Sequence, residues 1–374
     1  MDVSSLFWLA VKAVAIAALP LAYVTLSKDP DKHRKLAWVT AFLTLDLVMF
    51  GSFTRLTDSG LGCPDWPGCY GHSNPLSAGE QIRAAETALP SGPVTMTKAW
   101  IEMLHRYFAM AVGCLIIVLT VLAWLRWRRS PERSPWLATG TLVAVCLQGA
   151  FGALTVTMKL QPAIVTAHLL GGVGLLALLI WMALREAPSP AVDRRAVALR
   201  PLAAIAALLL VTQIALGGWV STNYAVLACP DFPTCHGRIV PPDMDFGAGF
   251  TLWRDLGMTA DGAPIPFQAL VAIHWAHRGF AYVVIALLGL LAWRLWLLAG
   301  VSRLARALAG VLAVQFATGL SSVVLSWPLP LAVLHNGGAA VLLALLVTIN
   351  YRLAASGAGA GTDVFTRAQA QGRG

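Results

Sequence analysis

The sequence predicts an all-α polytopic membrane protein with two tandem four-helix bundles and one extra N-terminal transmembrane helix. Of its 374 residues, 57% are hydrophobic and only 12% are charged, whereas soluble chains carry about 25% charged residues. A net charge of +9 and 14 Trp are typical of basic cytoplasmic loops and aromatic belts. A motif set that occurs twice indicates the two bundles, and nothing points to nucleic-acid binding.

Nine apolar stretches are long enough for a bilayer core, which needs roughly 20 residues per helix. They run approximately over 5 to 26, 37 to 55, 99 to 125, 136 to 158, 162 to 184, 201 to 221, 268 to 293, 303 to 326 and 330 to 351. The first stretch lacks a basic n-region and a clear cleavage site before Ser27, which favours a retained helix over a signal peptide.

These stretches divide the chain into five segments. The predicted order is the extra helix with its loop at 1–36, a bundle at 37–185, a linker at 186–200, a second bundle at 201–353, and a Gly- and Ala-rich tail at 354–374. The composition of the tail predicts disorder.

Lys and Arg residues predict the orientation in the membrane. Most of the 27 basic residues lie in the tail and in the connections that share one side of the membrane, and that side is expected to be the cytoplasm. The N-terminus and the two long loops, at about 56 to 98 and 222 to 267, then lie outside, while the C-terminus is cytoplasmic.

Each long loop carries a Cys-Pro-Asp-aromatic-Pro-x-Cys motif, at 63–69 and at 229–235. In an oxidising compartment these motifs favour one local disulfide per loop, Cys63 with Cys69 and Cys229 with Cys235, over metal binding by two cysteines alone. Such a disulfide can stiffen the loop or exchange electrons with a nearby site. The sequence leaves both roles open.

Further motifs repeat in the same order along the chain. The matched sets are Glu102, His105 and Arg106 with His274, His277 and Arg278, and Gln148, Gly152 and His168 with Gln315, Gly319 and His335. Because each half contains four helices, an even number, both halves enter the membrane from the same side. The repeat is therefore predicted to be parallel and not inverted.

Four intramembrane histidines, His105, His168, His277 and His335, occupy duplicated positions near the outer ends of their helices, roughly 8 to 13 Å deep at 1.5 Å per residue. A lone histidine of this kind is more often a packing residue, but matched pairs on facing helices are typical of a bundle that holds a metal or haem. Two imidazoles fill both axial positions of a haem iron, whereas a bare metal needs three or four protein ligands. Two haem sites are therefore predicted.

The halves differ one turn before the first histidine, where Glu102 corresponds to His274. A carboxylate there can accept protons or stabilise positive charge, or it can be a solvated carboxylate at the membrane interface. His274 is interpreted as a hydrogen-bonding residue beside the second site. Asp46, in the middle of a span, is interpreted as a buried hydrogen-bonded residue, with membership of a proton path as the alternative.

Other charged residues are weaker candidates. Arg55, Arg106 and Arg278 lie near the outer interface, where they can bind haem propionates or extend to water. Three more histidines, His33, His72 and His236, are assigned to loops with no role beyond solvation.

The Cys motif and the His-Arg motifs resemble those of a known protein family. The stretch Gly51-Ser-Phe-Thr-Arg-Leu-Thr-Asp-Ser-Gly-Leu-Gly-Cys-Pro-Asp-Trp-Pro-Gly-Cys-Tyr-Gly71, followed by Ile101-Glu-Met-Leu-His-Arg-Tyr107 and the repeated His277-Arg278, resembles the haem A synthase family. The resemblance covers about residues 37 to 352. The extra N-terminal helix departs from the simpler eight-helix members.

The resemblance implies an oxidoreductase that oxidises the C8 methyl group of haem O to the formyl group of haem A for terminal oxidases. It further implies that His105 and His168 flank the iron of the substrate haem, that Glu102 is the catalytic carboxylate, and that His277 and His335 ligate a haem b cofactor. The expected location is the bacterial inner membrane, with haem O synthase, cytochrome oxidase assembly factors, membrane lipid, an unidentified electron acceptor and a second copy of the chain as candidate partners.

Two other function classes stay open at this stage. A di-haem cytochrome b type protein would transfer electrons without changing a substrate, but such a protein usually places its haems on opposite sides of the membrane. A transporter would be expected to show broken helices near mid-membrane, whereas the Gly-rich stretches here cluster beside the histidines.

Overall fold

A computed structural model describes the backbone from residue 3 to residue 371 and the side chains as far as residue 356. The helices are α1 Val3–Leu26, α2 Lys32–Leu56, α3 Gly79–Ala88, α4 Met96–Arg129, α5 Trp136–Thr157, α6 Pro162–Arg185, α7 Arg194–Val197, α8 Arg200–Thr222, α9 Phe246–Gly249, α10 Phe267–Leu295, α11 Ser302–Val324 and α12 Leu329–Gln371. Within this part of the chain, nine helices are long and apolar enough to cross a membrane. The prediction of an all-α polytopic membrane protein is confirmed.

Several of these helices extend beyond the apolar stretch that predicts them, because polar residues cap their first turns. The Asp31 side chain accepts a hydrogen bond from the Arg34 N–H at 3.0 Å, so α2 begins at Lys32. The Thr95 hydroxyl accepts from the Lys98 N–H at 3.2 Å at the start of α4. Such caps satisfy backbone donors that the first helical turn leaves without partners.

Three short helices, α3, α7 and α9, lie in the connections and are not anticipated by the apolar pattern. The most substantial is α3, which is rich in Ala, Glu, Gln and Arg, all strong helix formers. Its buried Ile82 packs in one cluster with the two cysteines of the first long loop and with Met103 of α4. This helix therefore packs against the first Cys motif.

The long helices pack in two rings of the same order. In the first ring, α2 contacts α4, α4 contacts α5, α5 contacts α6, and α6 returns to α2; α8, α10, α11 and α12 repeat this order. The two rings meet where α6 contacts α8 and where α12 contacts α2. These two interfaces are equivalent under exchange of the halves, as a parallel duplication requires.

The extra helix α1 packs mainly against α4 and also contacts α2. Its Lys12 donates hydrogen bonds to the carbonyl and hydroxyl oxygens of Ser73, at 3.1 and 2.9 Å, and its ammonium group lies 5.5 Å from the ring centre of Tyr107. The Tyr107 hydroxyl donates to the same Ser73 carbonyl at 2.6 Å. Helix α1 is thus attached to the first long loop as well as to the first ring.

The last helix continues to Gln371 and so enters the segment 354–374 for which the sequence predicts disorder. Alanine has the highest helix propensity, and frequent Ala residues offset the Gly residues of this segment. The span itself ends at Ser356. Residues 372–374 lie outside the described residues.

Candidate haem-binding sites

Both Cys motifs fold into the same closed loop. Disulfide bonds join Cys63 to Cys69 and Cys229 to Cys235. Among the residues that the structure describes, no three His, Cys, Asp or Glu side chains form a group suited to a metal ion. The geometry therefore favours the disulfide interpretation over the metal interpretation.

One arginine per half holds its loop through carbonyl oxygens. Arg106 of α4 donates to the carbonyl groups of Asp65 at 2.8 Å, Gly68, and Cys63 at 3.4 Å. Arg278 of α10 makes the equivalent contacts to Asp231 at 2.7 Å, Thr234 at 2.7 Å and Cys229 at 3.0 Å. The His-Arg pair of the sequence thus links the first intramembrane histidine of each half, through the next residue, to a Cys loop.

The aspartate of each motif organises the turn that follows it. In the first loop, Asp65 accepts from the backbone N–H groups of Tyr70 and Gly71 at 2.6 and 2.7 Å. In the second loop, the Thr234 hydroxyl and the N–H groups of Gly237 and His236 donate to Asp231 and lower the pKa of its carboxyl to about 2. This role explains why both motifs contain Asp at the same position.

We expect alkylation of the unreduced protein to leave all four loop cysteines unlabelled, because both pairs are bonded within their own loops. After reduction, Cys63, Cys69, Cys229 and Cys235 should all become reactive. Peptide mapping by mass spectrometry checks the pairing. The protein is denatured in SDS before alkylation, so that the free thiols of Cys114 and Cys146, which lie in membrane spans, are accessible and serve as internal positive controls. Free thiols at all four positions, or bridges between the loops, would contradict the structure.

The four intramembrane histidines each pack against a glycine on a neighbouring helix. A Cβ atom added at Gly51 would lie 2.9 Å from His105 Nε2, and one added at Gly217 would lie 3.1 Å from His277 Cε1. The second histidine of each pair repeats the arrangement: an added Cβ atom at Gly152 would lie 3.2 Å from His168 Cε1, and one at Gly319 would lie 2.8 Å from His335 Cε1. Any side chain at these glycines would displace an imidazole ring.

All four histidines lie near the first residues of their helices, α4, α6, α10 and α12. These helices begin at the end of the molecule that carries the Cys loops, which we call the loop end. Both predicted sites are therefore at the same end of the molecule. A protein that conducts electrons across the membrane between two haems would need its sites at opposite ends.

The second pair lines a cavity whose other walls are predominantly apolar. His277 and His335 share it with side chains such as Ile214, Val284 and Phe316. Apolar walls with two convergent imidazoles suit a porphyrin, since its macrocycle is flat and hydrophobic and its iron accepts two axial nitrogens. The donor set of the second half therefore fits a haem.

Glu102 and His274 occupy equivalent positions, and both are buried. Glu102 is 4% exposed; its carboxylate accepts from the Cys63 N–H at 2.7 Å and from Arg106 at 2.5 Å. His274 is 5% exposed, and its Nε2 lies 3.3 Å from the Arg278 guanidinium. The interpretation of Glu102 as a solvated interfacial carboxylate is therefore wrong, because helix α4 and the first Cys loop enclose it.

Arg55, at the end of α2, links the two halves. Its guanidinium donates to the Ser221 carbonyl at 2.8 Å, to Asp58 at 3.1 Å and to the Tyr224 hydroxyl at 3.0 Å. It also lies 4.2 Å from the Tyr224 ring centre. Arg55 thus joins the ends of α2 and α8 at the loop end.

Two expectations about polar residues of α2 need correction. Asp46 is exposed on the helix surface and has no hydrogen bond to another described side chain or backbone group, because no other helix covers its side of α2. His33 lies inside α2 and not in a loop; it is buried, with its Nδ1 3.1 Å from the Glu186 carboxylate. His236 is in a loop, but its Nε2 lies 2.8 Å from the Ala228 carbonyl oxygen.

Comparison with known proteins gives matches over most of the chain. A family model described as "Cytochrome oxidase assembly protein" matches residues 34–347. A heme A synthase of Shewanella oneidensis is 40% identical over 324 residues, which cover 85% of this chain and 97% of the relative. Heme A synthases of Caulobacter vibrioides (31% identical; 86% and 97% covered) and Sphingopyxis alaskensis (30% identical; 90% and 96% covered) are also similar.

Proposed function

We propose that this chain, which belongs to the haem A synthase family of cytochrome oxidase assembly proteins, oxidises the C8 methyl group of haem O to the formyl group of haem A. The reaction class is that of an oxidoreductase. One observation supports the proposal most strongly. Two equivalent histidine pairs lie at the same end of the membrane helices, and each ring packs against a glycine of the neighbouring helix. Two sites of this kind suit one substrate haem and one resident haem.

The two sites differ in the residue that precedes the first histidine by one turn. We assign the substrate haem to His105 and His168, because Glu102 supplies a carboxylate only in that half. We assign haem b to His277 and His335, whose cavity is lined largely by apolar side chains. When it is bound, haem b supplies a redox group that takes electrons from the substrate site.

The chemistry requires a proton acceptor. Oxidising a methyl group through an alcohol to an aldehyde removes two electrons and two protons at each of two stages when water supplies the oxygen. Glu102 is the buried carboxylate closest in sequence to a substrate ligand, and its contacts with the Cys63 N–H and Arg106 hold it in one position. We assign it the roles of accepting protons and stabilising positive charge.

The arginine contacts favour a structural role over propionate binding for two candidates. Arg106 and Arg278 direct their terminal N–H groups toward loop carbonyls, so each connects its site to a Cys loop. Arg55 points to the junction of the halves. We therefore place propionate binding with none of the three and assign the disulfide loops to the stiffening role.

The protein is a multi-pass membrane protein. The distribution of Lys and Arg supports a cytoplasmic C-terminus, an external N-terminus and haem sites near the outer side of the bacterial inner membrane. Haem O synthase, assembly factors of cytochrome oxidase and a second copy of the chain are the candidate partners, and the electron acceptor is a further component that the reaction requires.

The test is expression of the full chain in a host that makes haem O but no haem A. Membranes are extracted with acidified solvent and the non-covalent haems are separated by chromatography. We expect haem A in membranes that contain the protein and none in membranes of the host carrying an empty vector. A purified protein with two bound haems that yields only haem O and haem b would instead support the electron-transfer alternative.

A further inference from the structure

The two histidine pairs differ in what lies beside the Nδ1 atoms of their rings. In the second half, the side-chain amide of Gln213 lies 3.1 Å from His277 Nδ1. The Thr318 hydroxyl and the Gln315 carbonyl oxygen each lie 3.1 Å from His335 Nδ1. Both rings of this pair therefore have hydrogen-bonding groups behind them, on the helices α8 and α11.

The first half lacks the two side-chain groups, although Gln148 supplies the same backbone carbonyl as Gln315. When Gly51 is aligned with Gly217, the position of Gln213 is occupied by Leu47; when Gly152 is aligned with Gly319, the position of Thr318 is occupied by Phe151. Nδ1 of His168 is buried without a side-chain partner, and the backbone of Gln148 is the group that interacts with this ring. Neither ring nitrogen of His105 is hydrogen-bonded to any residue that the structure describes.

Two other features involve the same residue types in both halves. Each histidine packs against a glycine in both halves. Gln148 donates to the His168 carbonyl at 2.8 Å, whereas the amide nitrogen of its counterpart Gln315 lies 3.4 Å from His335 Nε2. The side chains beside Nδ1 are the polar groups that the second half has and the first half lacks.

We propose that Gln213 and Thr318 are positioning residues that retain the resident haem in the second half, and that Leu47 and Phe151 keep the first half able to exchange its haem. This inference rests on the proposed function, in which haem O enters and haem A leaves the first site while haem b stays in the second.

The physical reason lies in the state of an iron-bound imidazole. When Nε2 binds iron, the proton is on Nδ1, and a hydrogen bond from Nδ1–H fixes the ring orientation and raises the basicity of the ligand. Thr318 and the Gln315 carbonyl are acceptors for His335. The amide nitrogen of Gln213 also donates to the His277 carbonyl at 3.1 Å, while its Oε1 atom is buried without a partner. A half-turn of the amide presents this oxygen to His277 Nδ1 in exchange for the contact with the carbonyl.

An exchangeable site has the opposite requirement. A ligand whose Nδ1 has no partner is a weaker base and is free to turn, so the haem that it holds dissociates more easily. Since product must leave before the next substrate binds, apolar residues behind His105 and His168 favour turnover. Apolar residues behind His277 and His335 would instead allow the cofactor to dissociate from the second half.

The test uses the full-length protein, purified in detergent with its haem. Gln213→Leu and Thr318→Val replace each partner with an apolar residue of similar size. Transfer of haem to added apomyoglobin measures retention, and spectroelectrochemistry measures the midpoint potential of the second-half haem. We expect haem affinity to fall about 10- to 100-fold in each variant, and the potential to become more positive because a less basic ligand stabilises ferric iron less.

Ser321→Ala is the matched control. Ser321 is on the same helix as Thr318, is partly exposed, and donates only to the Ala317 carbonyl of its own helix, so both haem transfer and potential should match the wild type. The reciprocal double variant Leu47→Gln with Phe151→Thr should release haem O more slowly than the wild type. This variant keeps the test decisive even if the substitutions in the second half impair folding.

The outcomes separate this inference from the function on which it rests. If His277→Ala removes the retained haem but Gln213→Leu and Thr318→Val release it at the wild-type rate with an unchanged potential, the inference is wrong and the division of the halves stands. If His277→Ala leaves the retained haem in place and His105→Ala removes it, the division itself is wrong.

Discussion

Glu102→Gln is expected to abolish haem A formation almost completely while the protein still folds and binds both haems. The substitution keeps the size of the side chain but removes the negative charge and the basic oxygen. Loss of a catalytic acid or base typically lowers the rate 10²- to 10⁴-fold, which corresponds to roughly 3 to 5 kcal/mol of barrier. The measurement is the haem A yield per bound haem b in the haem-O-producing host, with the alcohol intermediate quantified in the same chromatogram.

The environment of Glu102 makes a second variant necessary. Because the carboxylate also holds the first Cys loop through Cys63 and Arg106, the loss of activity can have a structural origin. Asp65→Asn weakens the same loop, because it removes the charge that accepts from the N–H groups of Tyr70 and Gly71, and it leaves the contacts of Glu102 in place. A much smaller loss in Asp65→Asn than in Glu102→Gln supports chemistry at Glu102, whereas equal losses would show that Glu102 acts by holding the loop.

The matched control is Glu80→Gln, which removes an exposed carboxylate from α3 of the same loop. This variant should make haem A at the wild-type yield. Wild-type yield in Glu102→Gln as well would overturn the catalytic assignment and leave Glu102 as a buried structural carboxylate.

His277→Ala and His335→Ala are expected to lose the stably bound haem and, with it, the absorption spectrum of bis-histidine iron. Each substitution removes one axial ligand and leaves an apolar cavity behind. His105→Ala and His168→Ala should retain that haem and fail to convert haem O, because they alter only the other site. Haem per protein, measured as the pyridine haemochrome, and the reduced-minus-oxidised spectrum check all four variants.

His236→Ala is the control for this series, since His236 lies in a loop of the second half and contacts no intramembrane histidine. It should contain the wild-type amount of haem. Identical haem content in the four ligand variants would refute the division of labour between the halves.

Apolar length and the spacing of repeated motifs were sufficient to predict the membrane helices. A helix that crosses a bilayer must be apolar over roughly 20 residues, and this requirement is visible without any tertiary contact. The ends of the helices were predicted less well, because caps such as Asp31 lie outside the apolar stretch. Helix α3 was missed because it lies on the Cys loop and its sequence has few apolar residues.

The candidate ligands were also accessible from the sequence, because a histidine in an apolar span is costly and a duplicated pair is rarer still. The groups that surround these ligands could not be predicted from the sequence. Arg106 and Arg278 looked like propionate contacts, whereas the folded loops bring carbonyl oxygens to them. The partners of Nδ1 were missed too, although a comparison of Leu47 with Gln213 at equivalent positions could have indicated them.

By itself, then, the sequence determined the class of fold, the number of spans and the duplication, and it supplied the residues proposed for the two sites, since these depend on composition and order along the chain. Only the tertiary structure decided which groups meet: the glycine behind each imidazole, the burial of Glu102 by the first Cys loop, and the unequal hydrogen bonding of the two histidine pairs. Contacts between helices depend on the rotation of each helix about its axis and on how closely its neighbours approach. Packing sets both quantities, and the linear pattern of residues does not specify them.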